Sequence, residues 1–277
     1  MKMNLKSTLA LLTGIILIPI NSWCQSTTEG ENYLHKLPVN LIPDYSLDQK
    51  YIMTTDYVDY DLCGNFQRKK RITGECTLLK NGFVRWNNIK VAQSQNLTEA
   101  YPAGEMQNFM EDFTYNPASN ILSDTFFNKI PQADAFMKNL VWDLSCIQTF
   151  AWYRWDLLKL NEELSAGEIN SEITIPGVGS FENKDIRITW IGITKMNNEI
   201  CAIFKYIAMN NPLQMDNSNV TIKGRSHYWG NIYVSLSDKQ IEFADLYEDV
   251  IMDIKVAGQA DSNYTNTVRK ITLGKIR

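Results

Sequence analysis

The sequence predicts an α+β chain, in which a predominantly antiparallel, strongly curved β-sheet of meander topology packs on a long central helix after a cleaved signal peptide. Three observations carry this expectation. Strand-like runs joined by short polar turns occupy both halves of the chain, and strands joined that closely pair antiparallel. Between them lies a segment with an apolar period of three and four residues, which marks an amphipathic helix. The chain opens on a basic, then apolar, then small-polar leader, the order of a secretory signal.

In the leader, Lys2 and Lys6 precede an apolar stretch over residues 9–20 that is interrupted only by Thr13, Gly14 and Pro19. A membrane span needs roughly 20 apolar residues, more than this stretch supplies. A lipoprotein signal would place an aliphatic residue three before Cys24 and a small one next to it, where the chain has Asn21 and Trp23. Ser22 and Cys24 instead suit cleavage before Gln25, so residues 1–24 read as a signal peptide of a secreted or periplasmic protein, and a lipid anchor at Cys24 is less favoured. The mature chain then has no transmembrane span and about 253 residues. It loses two of the 27 basic residues and none of the 31 acidic ones, so its formal charge is −6 instead of −4. Cys63, Cys76, Cys146 and Cys201 remain, in a compartment that permits disulfides. They allow three pairings; Cys63 with Cys76 is the first to test, against four buried thiols.

Residues 25–47 read as an irregular arm, with Pro38 and Pro43 breaking regular structure, and 48–277 as a single α+β domain with a sub-boundary in 161–185. Strands are expected at 51–60, 66–80 and 83–91, the last two joined by Asn81-Gly82 in a type I′ turn. Pro131 suits the start of a helix. Phe136, Met137, Leu140, Val141, Leu144, Ile147 and Ala151 form its apolar face, and the helix is expected to run to about residue 160, in one or two pieces, after a shorter helical stretch at 119–128. A short strand is expected at 173–175, followed by strands at 186–195, 200–209, 228–236, 240–256 and 268–276, with Asn197-Asn198 as one turn. The β-branched content of 240–256 favours strand over its competing helical period. The 200–209 strand is apolar on both faces and needs cover on both sides.

Composition narrows the chemistry. A pI near 5.3 disfavours binding nucleic acid. Only His35 and His227 exist; His35 lies in the arm, so imidazole-based catalysis would rest on His227 alone. No zinc-ligand spacing or nucleotide loop is present, and no metal or cofactor is implied. Carboxylate chemistry stays open through Glu242, Asp245, Glu248, Asp249 and Asp253, with His227, Glu242 and Glu248 as weak catalytic candidates against a solvated strand face. The basic run Arg68-Lys69-Lys70-Arg71 could meet an anion or form an exposed hairpin edge whose lysines prevent sheet pairing, and strand alternation sends two of its charges to each face. Phe127, Trp142, Trp152, Tyr153 and Trp155, with Phe126 and Phe150, exceed what one apolar stripe requires. They are the candidate ligand-binding residues of a pocket for lipid or another hydrophobic small molecule. The favoured reading is an exported, non-enzymatic binding protein for an apolar or amphiphilic ligand in a sheet–helix pocket. The alternatives are a carboxylate-dependent glycan hydrolase and an envelope structural or interaction protein without a pocket.

Overall fold

The computed structural model describes residues 47–276, except 120, 122–123, 129, 131–134, 176–178, 217–218 and 260. The expected signal peptide, the arm up to residue 46, His35 and Pro131 lie outside the described residues. The strands are β1 (Gln49–Tyr60), β2 (Phe66–Leu78), β3 (Val84–Ser94), β4 (Glu105–Met106), β5 (Phe113–Tyr115), β6 (Glu163–Ser165), β7 (Ser171–Ile175), β8 (Gly179–Asn183), β9 (Ile186–Met196), β10 (Glu199–Asp216), β11 (Val220–Ser235), β12 (Ile241–Val256) and β13 (Asn263–Ile276). They form one antiparallel sheet in the order β4-β3-β2-β1-β13-β12-β11-β10, and β13 pairing with β1 joins the C-terminal meander to the N-terminal hairpins.

The sheet forks at β10. Its first half pairs with β9, which pairs with β6, and its second half pairs with β8, which pairs with β7. The fork lies at a bulge between Ala208 and Asn211, where Asn210 adopts a positive φ of 56°. Buried Asn211 serves both branches, donating from Nδ2 to the Ala208 carbonyl and accepting the Lys184 backbone N–H. Pro212 follows immediately, at the kind of irregularity where a residue without an N–H is tolerated in a sheet.

Sheet dominates, so the α+β expectation overstates the helical part. Apart from 3₁₀ turns, the described residues hold one helical turn, Asp124–Phe127, and one 17-residue helix, Ala135–Ala151. The helix stops well short of residue 160. Arg154 turns to a positive φ of 39° and Trp155–Leu157 is a single 3₁₀ turn. Leaving the helix lets two indoles bond in different directions: Trp152 Nε1 donates to the Lys239 carbonyl and Trp155 Nε1 to that of Ala151, both at 2.8 Å.

Two turns differ in type. β2 and β3 form the expected hairpin, but only Gly82 of Asn81-Gly82 has a positive φ, 81°, and Gly82 N–H bonds the Leu79 carbonyl. That is a wider turn with a left-handed glycine, not type I′. The type I′ signature, positive φ at both central residues, occurs at Asn197 (51°) and Asn198 (69°) between β9 and β10.

β11 and β12 approach closely at Gly230. A Cβ there would lie 2.1 Å from the Asp245 carbonyl oxygen of β12, so only glycine permits the two backbones to approach this closely. The four described cysteines are free thiols. Cys63 sits before β2 and Cys76 ten residues beyond its start, about 33 Å along an extended strand, so the Cys63–Cys76 pairing does not form.

Inward residues of the central strands build the core, among them Tyr51, Met53, Ile271, Leu273, Ala244, Leu246, Ile232, Val234, Phe204 and Tyr206. The helix lays Met137, Leu140, Val141, Leu144, Ile147 and Ala151 into it, all at most 1 % exposed. Phe150 stacks on Tyr206 at 4.3 Å between ring centroids. This packing fills only part of the sheet's inner face.

Candidate functional site

The unfilled part is a cavity of about 290 Å³, bounded by a second face of the helix (Phe136, Asn139, Trp142, Asp143 and Cys146) and by inward residues of β1, β2, β8 and β10–β13. Strand register sorts these residues into rows. Tyr57, Arg269, Glu248 and Tyr228 lie side by side across β1, β13, β12 and β11. The next row is Arg68, Asp59, Thr267, Val250 and Ser226. Beyond it come the apolar side chains of Met252, Leu213, Phe181, Ile222 and Ile254.

Exposure changes along the same axis. Glu248, Arg269 and Tyr228 are 6–7 % exposed, whereas Met252, Ile254, Ile222, Leu213 and Phe181 are half-buried. The cavity therefore has a closed polar end and an open apolar end.

The polar end is an ionic cluster. Arg269 donates from Nη1 to Glu248 Oε2 and from Nη2 to Asp143 Oδ2, and its guanidinium lies 4.9 Å from the Tyr57 ring centroid. Tyr228 Oη donates to Asp143 Oδ1 at 3.3 Å. Burial pushes the Asp143 carboxyl up to about 6, against the attraction of Arg269. Burial also raises Tyr57 to about 12. The carboxylates of Asp143 and Glu248 keep Arg269 charged despite its burial. At the rim, Arg68 Nε donates to Asp59 Oδ2 at 2.6 Å, and Thr267 Oγ1 donates to Asp59 Oδ1 at 2.7 Å.

Of the five aromatic candidates, only Trp142 borders the cavity. Phe127 is buried against Phe126, with ring centroids 5.0 Å apart. Trp155 is buried 4.8 Å from Phe204. Trp152 reaches the Lys239 carbonyl, and Tyr153 is half-buried beside the core.

Among the weak catalytic candidates, Glu248 belongs to the cavity cluster. Glu242 shares its face of β12 but lies six residues away, fully buried and bonded to Lys275 Nζ at 2.6 Å. His227 points to the opposite face of β11 from Ser226 and Tyr228. Its Nδ1 accepts the Asn210 N–H at the β10 bulge (3.0 Å), and burial and Arg225 lower its pKa, with Asp249 opposing. The basic run divides as alternation requires. Arg68 and Lys70 share the inner face with Asp59 and Tyr57, and Lys69 and Arg71 lie over Tyr101 on the other.

The sequence reading missed Asp143, Arg269 and Ser226. Asp143 occupies a position on the apolar helix stripe, three after Leu140 and four before Ile147. Arg269 and Glu248 likewise interrupt apolar inward positions, beside Ile271 and between Leu246 and Val250. A charge where periodicity demands an apolar residue was the available signal.

No protein-family model matches the chain, and no curated protein matches it. Among solved structures, it is similar to one described as "lipid-protein interactions in lipovitellin", with a TM-score of 0.42 and 12 % identity, over 83 % of this chain and 25 % of that one. The chain thus spans about a quarter of the length of that relative.

Proposed function

We propose that this protein is an exported carrier or sensor that binds an apolar or amphiphilic small molecule in the cavity between helix and sheet. The observation that carries this reading is the half-filled inner face: a 290 Å³ space with a wall of Trp142, Phe181, Leu213, Ile222, Met252 and Ile254. That volume lies near the lower end of the roughly 300–1,000 Å³ of small-molecule pockets, whose walls are likewise mostly apolar with a few placed polar groups. The exported location rests on the leader at residues 1–24. A glycan-hydrolase reading is less well supported: the apolar wall offers a sugar few hydrogen-bond partners, and Trp152 and Trp155 pack elsewhere.

The test uses a neutral dye, Nile red, titrated into the processed protein purified from its export compartment, with native mass spectrometry of the same sample for co-purified lipid. We expect saturable binding that Leu213→Trp and Met252→Trp each weaken at least about tenfold by filling the cavity, without lowering the unfolding midpoint. Binding unchanged in both variants, with no lipid recovered, would overturn the reading.

A further inference from the structure

The arrangement of charge and unpartnered polar atoms in the cavity bears on how a ligand lies in it and on its chemical class; the argument rests on the amphiphile reading above. Of the buried polar atoms on the cavity lining that have no hydrogen-bond partner among the described residues, Arg269 Nε, Ser226 Oγ and Tyr57 Oη border the polar end, on residues 7 %, 1 % and 5 % exposed, and Thr265 Oγ1 lies beside Met252. Buried polar groups are seldom left unpaired, and an Arg Nε–H can only donate. The missing partner is therefore a hydrogen-bond acceptor.

Charge restricts that acceptor further. The lining residues include three acids, Asp59, Asp143 and Glu248, against two arginines, Arg68 and Arg269, a formal balance of −1. Both Nη atoms of Arg269 are already committed to carboxylates, so an incoming carboxylate or phosphate would meet net negative charge in a desolvated setting. The apolar side chains lie at the half-open end, where a hydrocarbon tail loses water without displacing an ion pair.

We propose that the ligand enters polar end first and that its head is uncharged and accepts hydrogen bonds, as an ester, amide or hydroxyl does, with its acyl or alkyl tail along Val250, Met252 and Ile254 toward the open end. A free fatty-acid anion is selected against.

The experiment is displacement of Nile red from the processed protein at pH 7.5 by two probes of equal chain length below their micelle concentrations, 1-monododecanoylglycerol and dodecanoate. The neutral ester should bind at least about tenfold tighter, since like-charge juxtaposition in a desolvated site is costly. Asp143→Asn removes one negative charge with little change in shape; it should improve dodecanoate binding and narrow the ratio to about threefold or less. Ser226→Ala should weaken the ester about fivefold, within the range of one hydrogen bond, and leave the unfolding midpoint in place. Dodecanoate binding as tightly as the ester, or a ratio unmoved by Asp143→Asn in a folded variant, would refute the polar-end-first arrangement while leaving the cavity reading intact. Displacement by neither probe, together with loss of Nile red binding itself, would remove both.

Discussion

Replacing Arg269 with methionine tests whether the cavity's polar end behaves as one electrostatic unit. In the wild type a single guanidinium compensates two carboxylates, Asp143 at 1 % and Glu248 at 6 % exposure. Arg269→Met keeps much of the side-chain length and strands both. Breaking one buried ion pair by removing a partner typically costs about 3–5 kcal/mol; with two acids left facing each other, the expected loss is about 5 kcal/mol. That approaches the whole stability of many domains, about 5–15 kcal/mol. Asp143→Asn should behave oppositely, because it leaves Arg269 and Glu248 as a matched pair. Its amide can still accept from Arg269, and Tyr228 can turn its hydroxyl to accept from Nδ2. The triple variant Arg269→Met, Asp143→Asn, Glu248→Gln carries no buried charge at this point and should recover to within about 2 kcal/mol of wild type. Urea unfolding at pH 7.5, followed by tryptophan fluorescence and extrapolated linearly, reads all four proteins. An Arg269→Met protein within about 1 kcal/mol of wild type, or a triple variant no better than the single one, would refute the reasoning.

Two further outcomes follow from ionisation. The Asp143 carboxyl sits near 6 in the folded chain against an ordinary 3.8; because this pKa is raised, its contribution is fully present below the unfolded value and is lost as pH rises through about 6. The wild type should therefore lose about 2 kcal/mol relative to Asp143→Asn between pH 4 and 7, and a pH-independent difference between their unfolding curves would contradict this. Of the described thiols, Cys63 is exposed, while burial drives Cys76 and Cys146 well up and Cys201 to about 12. Iodoacetamide at pH 8 should modify Cys63 first, and peptide mapping that finds Cys76 or Cys146 labelled as fast would argue against the packing.

Much of the sheet was legible because periodicity is a local property. Tyr228, Gly230, Ile232 and Val234 alternate inward along β11, and all four are buried. The 240–256 ambiguity resolved as strand, Ile241–Val256, with Leu246 and Val250 inside. The two strand extensions that build the far cavity wall were not legible. Residues 210–216 and 220–227 are mostly polar, with Pro212 and Gly224 among them, and they become strand because β10 and β11 continue their register past the bulge. Leu213 and Ile222 reach the cavity only through that pairing.

The sequence by itself determined the strand-rich class, the inward faces, the helix that crosses them and the even division of the basic run. Each follows from a period of two or 3.6 residues that neighbouring positions enforce. Tertiary structure alone decided that the inner face is incompletely filled, that Trp142 borders the gap while Trp152 and Trp155 do not, and that Asp143, Glu248 and Arg269 meet there. These residues stand 105 and 21 positions apart along the chain. Their encounter depends on strand register and on where the helix crosses the sheet, quantities fixed by packing over the whole domain and by no local pattern.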